Sequence, residues 1–451
     1  MRKVVVIGGG AAGCFAAIRI RRQHPETEVT LLEAGSRLLA KVAVTGGGRC
    51  NLTNSFEGVE RLERVYPRGA QLMKRALRVF SQEDTMDWFE SEGVRLVVQQ
   101  DHCVFPASQD AMQIVRTLER GLRLAGVRVV TGARVVSIIP VAASGLREEA
   151  VETQIATGAD APSTRSLRTA WVSPTSSHPA SGAIPSFHGP SVESAGYRIL
   201  TETTEYAAEA VVVTTGGSPK AAGLGFLEPL GLETVPPVPS LFTLRVDDAG
   251  LRALMGTLAE VALSLPGTSF RSEGTLLLTD WGISGPATLR LSSYAARYLA
   301  EKEYRGVQLL VDWLPGENPS EAVASLLKEN PRKELASVHP EGITARLWAH
   351  LLRRAGLRDG IRCSEVGSKG AARLSEVLHA DSYPLAGRVH FREEFVTCGG
   401  VSLSEISLST LEAKRYPGLY FAGEVLDVDA VTGGFNLQAA WSMAAVVAQS
   451  L

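Results

Sequence analysis

Within its first thirteen residues the chain runs from the apolar stretch Val4–Ile7 into Gly8-Gly9-Gly10-Ala11-Ala12-Gly13. No other feature narrows the possible fold as much. The stretch reads as a strand covered on both faces. Ala11–Arg22 reads as a helix, and Val29–Glu33 as the next strand. A strand, a crossing helix and a second strand make a βαβ unit, so the sheet is expected to be parallel. In the Gly-x-Gly-x-x-Gly spacing, Gly8 permits the tight turn. Gly10 lets a pyrophosphate approach the backbone, and Gly13 lets helix and strand pack closely. The helix start offers unpaired N–H groups and a positive dipole end to phosphate. Glu33 stands twenty residues after Gly13, where a carboxylate accepts from ribose hydroxyls and disfavours a 2′-phosphate. The pattern predicts a dinucleotide of the FAD or NAD kind.

A second glycine cluster follows at once, in "KVAVTGGGRCNLTN" from Lys41 to Asn54. A simple NAD domain would continue through further βαβ repeats. Here Gly46, Gly47 and Gly48 leave backbone N–H groups unshielded, and Arg49 adds a planar cation. The loop is expected to run along the same ligand towards its other end, which favours FAD. A third cluster, Gly433-Gly434, opens a closing helix of about fifteen residues. A helix N-terminus aimed at a flavin pyrimidine ring would stabilise the negative charge that reduction develops there.

The rest of the chain bounds the reading. The formal net charge of −2 argues against a general nucleic-acid binder. Cysteines 14, 50, 103, 363 and 398 are widely spaced and form no C-x-x-C pair. That excludes a dithiol redox motif and suits a reducing cytoplasm. No metal-ligand spacing occurs among the histidines at 24, 102, 178, 188, 339, 350, 379 and 390. No apolar run approaches the length of a membrane span. There is no second Gly-x-Gly-x-x-Gly after a strand, so no separate nicotinamide domain is expected. Residues 141–196 are rich in Ser, Ala, Pro, Gly and Thr and read as a long, flexible surface insertion. "PPVP" at 236–239 reads as a stiff linker. The expected order is a cofactor domain over 1–235, a β-rich insert over 236–317, a helical insert over 318–380, and the rest of the cofactor domain over 381–451.

The segments "GGGAAG", "TGGGRCNLTN", "TTGGSPK", "TDWGISGPATLRLSS" and "GLYFAGEVLDVDAVTGGFNLQAAWS" occur here in one order. Together the sequence resembles the BaiN-like (aminoacetone-oxidase-like) family of FAD-dependent flavoproteins, over nearly the whole chain outside 141–196. The resemblance implies an α/β fold: a Rossmann-like, glutathione-reductase-like FAD domain made from both chain ends, with an inserted β-barrel and helical domain. It implies that Gly8, Gly10, Ala11, Ala12 and Gly13 hold the pyrophosphate and Glu33 with Ala34 the ribose. Lys41, Gly46, Gly47, Gly48, Arg49, Cys50 and Asn51 would line the flavin side, and Val135 would meet adenine. Thr215, Gly216 and Gly217 would form a second turn near the cofactor. Gly423, Glu424 and Asp427, then Gly433, Gly434, Phe435, Asn436 and Leu437, would meet the ribityl chain and ring. Asp280 and Ala430 depart from the family's usual residues. No general acid or base is assigned. The implied activity is flavin-mediated hydride transfer to or from a small or medium organic molecule, either enone-type reduction with NAD(P)H or amine oxidation with oxygen. NAD(P)H binding transiently over the flavin, oxygen, or another donor or acceptor would complete the cycle. A flavin-dependent tRNA-modifying enzyme and a non-catalytic FAD module are the alternatives.

Overall fold

A computed structural model of the chain describes residues 1–142, 194–218, 221–389 and 396–451. Most of the expected insertion at 141–196, and histidines 178, 188 and 390, lie outside the described residues. The N-terminal part runs β1 (Lys3–Ile7), α1 (Ala11–Gln23), β2 (Glu28–Glu33), α2 (Ala40–Gly48), β3 (Thr53–Asn54), α3 (Ala70–Val79), α4 (Gln82–Ser91), β4 (Leu96–Val98), β5 (Cys103–Pro106), α5 (Ala111–Ala125), β6 (Arg128–Thr131), β7 (Val135–Ala142), β8 (Ser194–Thr201), β9 (Glu205–Ala208) and β10 (Ala210–Val213). Residues 141, 142 and 194–196 are thus strand rather than insertion.

Local chemistry sets these boundaries. Ser81 caps α4 through Asp84, each side chain bonding the other's backbone N–H in a capping box. Asp110 caps α5 at the Met112 N–H, 2.9 Å away, and Gly126 ends that helix at φ 69°. Ile114, Leu118 and Leu122 of α5 fall on one face and are buried.

The middle of the chain forms β11 (Thr234–Ser240), β12 (Leu244–Val246), α6 (Ala249–Arg252), β13 (Leu258–Ser264), β14 (Arg271–Thr279), β15 (Gly282–Ser284), α7 (Pro286–Tyr294), α8 (Ala296–Lys302), β16 (Gln308–Asp312), α9 (Pro319–Glu329), α10 (Ala345–Arg354), α11 (Ser368–Ala380) and β17 (Asp381–Arg388). Strands β12, β15, β14, β13, β16 and β17 close into a barrel. Val261, Leu263, Leu276, Leu278, Leu309 and Val311 are buried, and they share one core with Leu347, Trp348 and Leu351 of α10. The segment from 381, expected to begin the return to the cofactor domain, first supplies the closing barrel strand β17. Its sequence "DSYPLAGR" carries a proline and a glycine, which hide its alternation from a propensity reading.

The chain returns through β18 (Val396–Val401), β19 (Leu419–Phe421) and α12 (Phe435–Ser450). The main sheet has the order β19-β10-β1-β2-β6, with every pairing parallel. Both chain ends therefore build it, as expected. Helix α12 is buried nearly all round and packs on α1 and α3. The expected linker at 236–239 is part of β11, which pairs antiparallel with β18 as a two-stranded ribbon. The register shifts between Val235 and Val238, where Pro236 and Pro237 have no N–H to give.

Candidate functional site: a trough of glycine turns

At the first turn, Gly8 has φ 107° and its N–H reaches Leu32 O at 2.8 Å. A methyl group on Gly13 would lie 1.9 Å from Gly8 O. Only glycine lets α1 sit this close to β1. Thr214 completes the turn by donating to Ile7 O and Gly8 O at 2.9 and 3.0 Å. Gly10 caps α1 with no side-chain hydrogen bond, and a Cβ there would meet nothing within 4 Å. As at any helix start, the N–H groups of Ala11, Ala12 and Gly13 have no intrahelical acceptor. Open space thus faces a positive helix end. Glu33 stands beside it, at the end of β2. Its two carboxylate oxygens accept from Gly9 N–H at 2.7 Å and Gly35 N–H at 2.6 Å. Ala34 is exposed next to it. Ala133 N–H bonds Glu33 O at 2.8 Å, which brings Val135, partly buried at the start of β7, to the same end.

The second glycine cluster is a helix that breaks. Regular α2 geometry stops at Thr45, whose ψ is 148°. Gly46, Gly47 and Gly48 then take φ values of 56°, 68° and 81°. Gly46 is hemmed in by Asn51 N and the Phe105 ring, whereas Gly47 and Gly48 face open space. The Arg49 guanidinium lies over the Phe105 ring, 4.6 Å from its centre, and its Nε donates to Gly46 O at 3.2 Å. Arg49 therefore braces the turn with an exposed cation. Cys50 is fully buried, its N–H bonded to Thr45 O at 3.0 Å. Burial pushes its thiol up to about 12. What Cys50 can offer the trough is backbone, because its sulfur points into the core.

The third and fourth turns meet the first two. With its carboxamide oriented to satisfy both neighbours, Asn51 accepts from Gly434 N–H at 3.2 Å and donates to Thr53 O at 3.0 Å. Asn54 donates to Gly433 O at 3.0 Å. A methyl on Gly434, the cap of α12, would strike Thr53 O at 2.2 Å. Phe435 is buried edge-on to Phe56 and Tyr66, and the Tyr66 hydroxyl donates to its carbonyl at 3.0 Å. Asn436 holds Ala430 N–H and O at 2.9 and 3.0 Å, and Leu437 is partly buried. After β10, Thr215 is exposed and Gly216 has φ 75°. Gly217 N–H reaches Glu424 at 3.1 Å, and Thr397 N–H reaches the same carboxylate at 2.6 Å. Lys41 Nζ lies 3.6 Å from Glu424. Asp427 accepts from Gly399 N–H at 3.0 Å and pairs with Arg297. A Cβ on Gly423 would sit 3.2 Å from that of Ala12, so the end of β19 touches the start of α1.

These contacts join the glycine turns into one series, from Glu33 past α1 to Gly434, while Ala34, Thr215 and Leu437 lie beside it by position alone. Sequence reasoning missed Thr214, Asn54, Arg68 and Asp429. The last lies within the quoted C-terminal motif, but only the fold shows it buried. The open positions at Gly10, Gly47 and Gly48, two helix starts without side-chain caps, and the Glu33 carboxylate together suit an elongated anionic dinucleotide. Among the described residues, no cluster of His, Cys, Asp and Glu is arranged to hold a metal ion, and no helix is long and apolar enough to cross a membrane.

A model of the HI0933-like protein Rossmann domain matches residues 2–450. The 3-dehydro-bile acid delta(4,6)-reductase of Clostridium scindens is 26% identical, over 98% of this chain and 97% of that protein. The ribosomal RNA dihydrouridine synthase of Haemophilus influenzae is 26% identical, over 99% and 98%. Its Escherichia coli namesake is 27% identical, over 99% and 97%. The chain belongs to the HI0933-like Rossmann family.

Proposed function

We propose that this chain uses FAD to reduce a carbon–carbon double bond conjugated to a carbonyl group. One observation carries the reading. Two kinds of relative, matched along nearly their whole length, have names that describe the same step on different molecules. A 3-oxo steroid with unsaturation at carbons 4 and 6 is a conjugated dienone. Uridine carries its 5,6 double bond beside the C4 carbonyl. In each, a hydride adds to the carbon remote from the carbonyl, and a proton completes the saturated product.

FAD would supply the hydride; the protein's part is to bind and orient. In this reading the α1 start and Gly8–Gly13 hold the pyrophosphate, and Glu33 takes the ribose hydroxyls. Gly46–Gly48, Arg49 and the 433–437 turn enclose the flavin end. The α12 start places positive potential where reduction puts negative charge. The electron donor in this reading is NAD(P)H, binding transiently against the flavin. A small or medium enone is the first substrate class, in keeping with the net charge of −2. Uridine in ribosomal RNA is the second reading, favoured by the two relatives of that name.

The test is anaerobic. Purified protein should be yellow and should bleach with NADH or NADPH. The reduced protein is then mixed with a cyclic enone, a 3-oxo-4-ene steroid, or ribosomal RNA lacking dihydrouridine. Reoxidation by an enone supports the first reading, and by RNA the second. A bleached protein that only oxygen reoxidises would remove both.

A further inference from the structure

The acidic residues of the C-terminal motif "GEVLDVD" share a direction that cofactor binding does not explain. Glu424, Asp427 and Asp429 each hold the β11–β18 ribbon, through which the chain leaves the cofactor domain for the barrel and comes back. Glu424 takes Thr397 N–H at 2.6 Å, and Asp427 takes Gly399 N–H at 3.0 Å, both on the returning strand. Asp429 takes the Ser240 hydroxyl at 2.9 Å, at the far end of the outgoing strand.

Asp429 is also the most enclosed of the three, at 1% exposure. Both of its oxygens face the Arg68 guanidinium, whose side chain is 12% exposed. Arg68 belongs to the loop before α3, in the cofactor domain. Its remaining donors cross to the inserted domain, reaching Ser293 O at 2.7 Å at the end of α7 and Ser240 Oγ at 3.4 Å. Beside this pin, Asp427 pairs with Arg297 of α8. A buried ion pair of this kind is not loosened readily, because freeing either partner leaves an uncompensated charge. Ala430, the next residue, is clasped by Asn436 on both its N–H and its carbonyl. The pinned segment therefore continues without slack into Gly433 and Gly434.

We infer that Arg68 and Asp429 are positioning residues: they pin the inserted barrel domain in one placement against the cofactor domain and tie that placement to the shape of the 430–437 turn. The ribbon is the hinge, and the three carboxylates hold it shut. No new ligand is required, and the inference stands whichever substrate the enzyme reduces.

Hydrogen–deuterium exchange on the FAD-loaded enzyme tests this. Ser240→Ala removes the hydroxyl that donates to Asp429 and accepts from Arg68, and leaves the Arg68–Asp429 pair itself in place. It should leave flavin content unchanged and speed exchange at 234–240 and 396–401 by about fivefold, as expected for a local opening. Asp429→Asn should do the same and also speed exchange at 430–437, with a shifted visible circular dichroism of the bound flavin. Arg68→Lys keeps the charge but loses the fork, and should fall between wild type and Asp429→Asn. Amides of β1 and β10 should stay within about twofold of wild type. The inference is overturned if ribbon exchange is unchanged, or if it rises evenly over both domains, as general destabilisation would make it. If Asp429→Asn does not fold, Ser240→Ala decides alone by the same two criteria.

Discussion

A single methyl group tests the trough at its tightest point. Gly13→Ala places a carbon 1.9 Å from Gly8 O, so α1 must move away from β1. The purified variant should carry at least about tenfold less flavin by its 450 nm absorbance, a loss of about 1.4 kcal/mol or more in binding. Arg49→Ala removes a brace rather than a wall. An exposed cation–π contact is worth about 0.5–1 kcal/mol, so FAD should bind about two- to fivefold more weakly in a fluorescence titration. Full flavin retention with lost turnover would instead place Arg49 on the substrate. The cysteines make a prediction of silence. All five are free and buried, and burial holds Cys50 up to about 12 and Cys103 and Cys398 up to about 11. The thiolate is the reactive form, so native protein at pH 8 should show no fast-reacting thiol towards Ellman's reagent. At this scale, legibility followed from spacing. Gly8 and Gly13 announce their roles because only a glycine works at those separations. Asn54 and Thr214 were hidden because their roles depend on which carbonyl lies beside them in space.

Among the elements, α12 carries the most. Trp441 is fully buried between Phe15 and Phe89, and its indole N–H donates to Leu52 O at 3.0 Å. Trp441→Ala should cost about 3–5 kcal/mol, read as a lower urea midpoint. The helix docks the loop after Cys50 as well as α1 and α3. Thr53 donates to Gln438 at 2.6 Å, and Ser442 to Phe80 O at 2.7 Å. Helices and buried strands such as α5, β1 and β10 were readable because their periodicity is strong. β17 and the proline-rich β11 were not, because their strand character comes from partners distant in sequence. The glycine cluster at 46–48 reads as a loop in the sequence, yet a regular turn of α2 precedes it. Ala40–Val44 has helical propensity that the glycines beside it mask.

For the whole molecule, two cores mean two responses to conditions. In the inserted domain, His350 is buried with its Nε2 3.1 Å from the Tyr383 hydroxyl, which donates to Asp381. Asp248, Asp381, Arg353 and Arg354 also act on it, but burial dominates and holds its pKa below the ordinary value. The unfolded chain then binds the proton more tightly, so stability falls as pH drops through about 6.5 and levels off below the folded value. Thermal melts of wild type from pH 7.5 to 5 should show that fall, and His350→Gln should flatten it. The architecture itself was legible from the order of the motifs. The barrel's closing strand and the pin at Arg68 were not, because neither has a local signature.

The parallel sheet also has a timetable. β10 is made before the inserted domain and β19 after it, yet they are neighbours in the sheet. On the ribosome, the edge of β10 waits uncovered while the barrel and its helices are synthesised and fold as their own unit. Gly433, Gly434 and α12 arrive later still. A nascent chain therefore cannot complete the trough early: β19 must first cover the edge of β10, and the start of α12 must then meet Asn51.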